Sequence, residues 1–239
     1  MWHIEILAAA ILFAAYILRG MTGFGSGIVA IPMLALVWPL PFIVPVMSAL
    51  NYLASLSLGV AERRKILWRE LLPMFPGNVI GVVGALYLFH VLNEAVLSRA
   101  LGGFIIVYAL YTLSGIRFGK LSRAFAAPIG AVGGAIDTLF TTGGPVFVTY
   151  FATRQLEKGA FRATVTALIL LETPLRLIGY FASGLYNWNS LWLLLGFLPI
   201  MIAGLFIGHR VHSRLSQRSF EWAIGLMLLG NGVLLLFKG

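Results

Sequence analysis

The chain has 239 residues, 60% of them hydrophobic and 10% charged, with a mean hydropathy of +0.95 and a formal net charge of +9. Soluble domains carry about 25% charged residues, so an ordinary soluble globule is excluded. An outer-membrane-type barrel is excluded as well, because the apolar runs are long and do not alternate. There is no cysteine, so disulfides and thiolate metal sites are ruled out.

The chain opens Met-Trp-His-Ile-Glu, without the basic start of a cleavable signal peptide, so the first hydrophobic segment is expected to be retained. Apolar segments follow at about 4–18, 27–38, 42–60, 71–90, 98–115, 124–136, 145–153, 163–184, 190–208 and 220–237. A full span needs about 20 residues. The pairs 4–18/27–38 and 124–136/145–153 are short, and each is read as a broken or re-entrant helix meeting inside the membrane. The expected fold is all-α integral membrane, with about eight transmembrane segments.

Most of the 17 basic residues fall into four short loops: Arg63, Arg64, Lys65 and Arg69; Arg117, Lys120 and Arg123; Arg154, Lys158 and Arg162; Arg210, Arg214 and Arg218. Basic enrichment of short loops marks the cytoplasmic side, which accounts for the net charge without a nucleic-acid partner. With these loops inside, segments 42–60, 71–90 and 98–115 run opposite to 163–184, 190–208 and 220–237. Residues 1–118 and 119–239 then form an inverted-topology repeat of two four-segment halves within one membrane domain, both termini outside. The tryptophans agree with this, since Trp2, Trp38, Trp68, Trp188, Trp192 and Trp222 all fall near segment ends. Small-xxx-small spacings at Gly77/Gly81, Gly130/Gly134 and Gly204/Gly208 read as close helix crossings.

Each half carries a glycine-rich interruption: Gly20-Met-Thr-Gly-Phe-Gly-Ser-Gly27 and Thr141-Thr-Gly-Gly-Pro145. Backbone that leaves the helix within a membrane must be buried in protein or line a polar cavity. Paired interruptions in two halves point to a transporter binding site. Ser26 or Thr22 can cap the helix restarting near Gly27, and Pro145 suits a first helical turn. Such restarts aim free N–H groups and positive dipole ends at an anion. The predicted substrate-binding set is Arg19, Thr22, Gly25, Ser26, Gly27, Asn51, Thr141, Thr142, Gly143, Gly144 and Pro145.

Charged residues at membrane depth are costly and are functional candidates. Arg19 and Asp137 occupy nearly corresponding positions before the two breaks. Arg19 can neutralise an anionic substrate through bidentate hydrogen bonds, while Asp137 can carry a proton or hold the arginine when the site is empty. Glu172 and Arg176, four apart on one helix, can pair. Asp137, Glu172 and Arg176 form the coupling or charge-balancing set. Tyr52, Thr164, Thr166 and Thr173 are further polar candidates. The histidines His3, His90, His209 and His212 have no carboxylate cluster beside them and no phosphate-binding loop is present, so neither an enzyme, a metal site nor a cofactor is expected.

The run Gly23-Phe-Gly-Ser-Gly-Ile-Val-Ala-Ile-Pro32 resembles the first-repeat signature of the sulfite exporter TauE/SafE family, also called TSUP permeases. Gly143-Gly-Pro-Val-Phe-Val-Thr-Tyr150, with Lys158 and Phe161-Arg-Ala-Thr164, resembles its second. The resemblance spans essentially the whole chain and implies transport of small sulfur-containing or organic anions, such as sulfite, sulfonates or sulfoacetate, across the bacterial inner membrane. It also implies that the two motifs meet at the substrate site. The expected function is a secondary transporter working by alternating access, with membrane lipid around it and protons as a candidate coupling ion. A passive anion channel and a non-transporting partner subunit are the alternatives. Which anion is moved, in which direction and in what oligomeric state, the residues leave open.

Overall fold

The structure, a computed structural model, describes residues 2–116, 119–211 and 228–237. Arg117, His212, Arg214, Arg218, Trp222 and Lys238 lie outside the described residues, as does the first part of the predicted segment 220–237. The described elements are helices: α1 (Trp2–Thr22), α2 (Ser26–Leu34), α3 (Leu40–Glu62), α4 (Trp68–Leu71), α5 (Phe75–Val91), α6 (Glu94–Ser114), α7 (Ala126–Phe140), α8 (Gly144–Thr153), α9 (Lys158–Ala182), α10 (Trp188–Val211) and α11 (Leu228–Phe237). Among the described residues five helices, α1, α3, α6, α9 and α10, are long and apolar enough to cross a membrane. Helices α5 and α11 are apolar but shorter.

Helix α1 differs from the short segment 4–18 expected from hydropathy. It continues to Thr22, 21 residues in all, because its polar end is satisfied inside the protein rather than by lipid. Arg19 finds buried acceptors there, and Gly20 lies so close to α10 that a Cβ would overlap the Leu205 carbonyl. A hydropathy count stops at the arginine; the helix does not. Helix α7 likewise runs past the predicted end, to Phe140. Two three-residue breaks remain, Gly23–Gly25 and Thr141–Gly143.

The helix contacts come in matching pairs. Helix α1 lies along α10 and α5 along α7; α3 meets α10 and α5 meets α9; α2 contacts both α1 and α3, and α8 both α7 and α9; α3 packs against α9. Both long pairings depend on small residues. A Cβ at Gly77, Gly81, Gly130 or Gly134 would overlap backbone across the α5–α7 contact, and one at Gly208 would overlap the Ile17 carbonyl of α1. Backbones this close gain dispersion contact without any hydrophobic driving force, as packing between helices in lipid requires. The outward faces are apolar: Ile80, Tyr87, Phe181 and Trp188 are at least 70% exposed, a surface suited to acyl chains rather than water.

On the side of the basic loops, Glu70 in α4 joins parts of the chain more than fifty residues apart. Its carboxylate accepts from Arg154 Nε at 2.9 Å and from Arg123 Nε at 3.2 Å, and Arg154 also donates to the Leu121 carbonyl at 2.7 Å. Burial pulls the Glu70 carboxyl upward, but hydrogen bonds from Arg154 and Arg123 outweigh it and hold the group below the usual glutamate value. A depressed folded-state value means that the contribution is complete above the ordinary value of about 4.3 and disappears as pH falls through the lowered one. Glu70→Gln is therefore expected to melt below the parent protein at pH 7, with the two melting temperatures converging in acid. Because the Arg123 side chain is 41% exposed and screened by solvent, the cost is on the order of 1 kcal/mol. Melting curves of both proteins across pH check this, and a gap that persists in acid would contradict it.

Candidate functional site

The two breaks meet. Gly27, one residue into α2, packs so tightly on the second break that a Cβ there would overlap the Thr141 carbonyl. Phe24 of the first break lies against Gly144, the first residue of α8, 3.7 Å from the position of an added Cβ. Gly23 (φ 87°) and Gly25 (φ 93°) turn the first break through the left-handed region that glycine tolerates, and Thr141 (φ 55°) does so in the second. Both restarts lack a side-chain cap. Gly25 is the N-cap of α2 and Gly143 that of α8, and neither position carries a capping hydrogen bond. The expected Ser26 or Thr22 cap is not made: Ser26 is already the first helical residue, and Thr22 Oγ1 donates to the Phe24 carbonyl at 2.6 Å. In α8 Pro145 has no N–H and Val146 N donates to the Gly143 carbonyl at 3.0 Å, so Gly144 supplies the N–H left at that start, while the first turn of α2 keeps its own.

Between the breaks lies a cavity of about 20 Å³, room for a single water. Of the predicted set, Arg19, Gly25, Gly27, Asn51, Thr141, Thr142, Gly144, Pro145, Asp137 and Arg176 line it, joined by Phe24, Ile28 and Ile169. Thr22, Ser26 and Gly143 are not among the lining residues. Thr142 Oγ1 is buried without a partner, whereas Thr141 Oγ1 shares a 3.2 Å hydrogen bond with Ser48 Oγ.

Arg19 is 2% exposed. It donates to Ser26 Oγ at 3.0 Å, to the Asn51 carbonyl at 3.1 Å and to Ser55 Oγ at 2.5 Å. All three acceptors are neutral, its Nε has no partner, and it forms no ion pair among the described residues. Ser26 in turn donates to Asn51 Oδ1 at 2.7 Å, which also accepts from Tyr16 at 3.0 Å. The Ser26 hydroxyl thus links the arginine to Asn51.

Asp137 does not hold Arg19. It pairs with Arg176, whose Nη1 lies 2.5 Å from Oδ2 and also donates to the Asp137 carbonyl at 2.6 Å, while Oδ1 accepts from Gly143 N at 2.8 Å. Arg176 consequently is not paired with Glu172, despite their spacing. It reaches across to α7, where the Asp137 carboxylate and the carbonyl of the same residue both accept from Nη1. Tyr180 donates to the next carbonyl, that of Thr138. Glu172 accepts from Asn78 Nδ2 of α5 through Oε2, and its Oε1 has no partner.

Tyr16, Phe24, Ser48, Ser55, Asn78 and Tyr180 were not among the predicted site residues. Ser48, Asn51 and Ser55 fall at i, i+3 and i+7 on one face of α3, a polar stripe that helical periodicity could have revealed. Of the lower-ranked candidates, Thr173 accepts from Arg176 Nη2 at 3.3 Å, and Thr164 accepts from Leu67 N at 3.0 Å, away from the cavity.

Gly27→Ala tests whether the breaks must touch. A methyl group aimed at a carbonyl has no flexible neighbour to displace, and overpacking of this kind costs about 1–3 kcal/mol. The expected result is a lower melting temperature together with lost transport; an alanine variant of parental stability and activity would show that the contact can open freely.

An apolar helical bundle with two broken helices meeting over a buried arginine defines a membrane transporter. The comparisons agree: the sequence matches the family described as sulfite exporter TauE/SafE over residues 7–235, and the chain belongs to that family. It is also similar to a protein of Comamonas testosteroni described as "Probable inner membrane transporter protein TsaS", 25% identical over 189 residues, covering 75% of this chain and 77% of the relative. No solved structure matches the chain.

Proposed function

We propose that this protein is a secondary transporter that moves a small anion (sulfite, a sulfonate, sulfoacetate or a related organic anion) across the bacterial inner membrane by alternating access. The observation that carries this reading is Arg19: a fully buried guanidinium with only neutral acceptors, on the wall of a cavity that the N-termini of α2 and α8 also line. An unpaired buried charge is strongly unfavourable, and an anion between the two breaks would supply the missing partner, with Thr142 Oγ1 and the N–H groups of Gly27 and Gly144 as further donors. The Comamonas relative's description supports placement in the inner membrane.

The matching helix contacts of the two halves support residues 1–118 and 119–239 as an inverted-topology repeat, with the basic loops inside and both termini outside. One half rocking on the other would expose the site to each side in turn. The water-sized cavity favours this over a passive channel, since a channel needs a continuous path. A proton is the candidate coupling ion, with Asp137, Glu172 and Arg176 as the groups that balance its charge.

Proteoliposomes loaded with unlabelled methanesulfonate or sulfite, then given the labelled anion outside, test the proposal. Saturable counterflow is expected; flux that no gradient can drive uphill would indicate a channel, and no flux with any of these anions would overturn the reading.

A further inference from the structure

Glu172 is buried at mid-helix in α9 and makes one hydrogen bond, from Asn78 Nδ2. It stands one turn before Arg176 on α9, but that arginine is taken by the Asp137 carboxylate, so among the described residues no cation is bonded to Glu172. A buried carboxylate with no cation partner is strongly unfavourable, and of two carboxyl groups sharing one arginine the less well partnered keeps its proton. The surroundings decide which one holds the proton. Asp137 already accepts from Arg176 and from Gly143 N, both of which favour its charged form. Glu172 has a neutral amide on Oε2 and nothing on Oε1.

We infer that Glu172 is the coupling residue of this transporter: it carries one proton across with each monovalent anion, while Asp137 remains ionised against Arg176. The inference rests on the anion-transport reading above. The charges around the cavity explain the linkage. With Glu172 protonated, Arg19 and Arg176 face Asp137 alone, and the site carries one net positive charge, which an anion neutralises. With Glu172 ionised, the site is already neutral, and Arg19 gains no more by holding an anion. Proton and anion therefore favour one another's binding, and by reciprocity the effect is equal in both directions. The charged groups facing Glu172 are Asp137 from α7 and Arg176 one turn along its own helix, while α5 contributes only the amide of Asn78. Arg19 from α1 acts on both Asp137 and Arg176. Glu172 does not line the cavity, so it acts on the anion through charge alone.

Methanesulfonate is the probe, because its charge is fixed over the working pH range. Its affinity for the parent protein is expected to fall as pH rises, approaching tenfold per unit once Glu172 ionises. In weakly buffered solution, binding at such a pH is expected to take up about one proton per anion. In proteoliposomes, an inward acid gradient is expected to drive accumulation. Glu172→Gln, a permanently neutral mimic of the protonated form, should keep counterflow while losing both the pH dependence of affinity and gradient-driven accumulation. Parent protein whose affinity is independent of pH overturns the inference whether or not the variant folds. So does a glutamine variant that still accumulates anion against its gradient. Absence of saturable binding and counterflow in the parent protein would instead remove the anion-transport reading itself.

Discussion

Arg19→Gln is expected to abolish measurable anion transport while leaving the empty protein as stable as its parent, or more so. The two effects separate because the arginine does two things. In the empty protein it is a buried charge held by Ser26, Ser55 and the Asn51 carbonyl, without a counter-ion, and removing such a charge relieves a desolvation cost. On the anion-transport reading proposed above it is also the cation facing the bound anion, and truncating one member of a buried charged pair costs about 2–5 kcal/mol, which corresponds to roughly 30-fold to several thousand-fold in affinity. Arg19→Lys retains a charge but not the planar fork, so it is expected to fall between the two. Anion-dependent melting shifts and counterflow on the same preparations check both halves of the expectation. A glutamine variant that transports normally would remove Arg19 from the site.

The largest loss of stability is expected from Asp137→Asn. The amide can still accept from Gly143 N through Oδ1, so the second break keeps its internal hydrogen bond. What is lost is the negative charge facing Arg176, a side chain only 1% exposed. Stranding one partner of a buried pair costs about 3–5 kcal/mol, roughly 6–20 °C in melting temperature for a chain of this size. Adding Arg176→Gln should recover much of that loss, because the double variant buries two neutral groups and no lone charge. If the double variant melts no higher than Asp137→Asn alone, Arg176 is held chiefly by the α7 carbonyls and not by the carboxylate.

Much of the site was legible because its signals are local. Four glycines within eight residues break a helix wherever they occur, and a charged residue in an apolar run invites attention at once; Arg19, Asp137, Gly27 and Gly144 follow from those two facts. The ends of α1 and α7 were less legible, since hydropathy sees only that Arg19 and Asp137 are unwelcome in lipid, not that the protein supplies partners for them. The pairing of charges was the least legible part. Glu172 and Arg176 satisfy the i, i+4 rule, yet Arg176 turns to Asp137, 39 residues away. A spacing rule ranks neighbours on one helix and knows nothing of a second helix whose exposed carbonyls compete. Asn78 was missed for a similar reason: among the glycines of α5 it reads as one more small residue in a crossing, and only the packing of α5 against α9 places it on Glu172.

The convergence of α2 and α8 on one cavity has a mechanical meaning as well. Each helix start carries about half a positive charge, so without a ligand the two short helices push apart across the space they share. An anion between them reverses that push, as a keystone locks an arch that would otherwise splay. On the anion-transport reading proposed above, the bound anion is then part of what holds α2 and α8 together, and its departure lets the two helix starts separate.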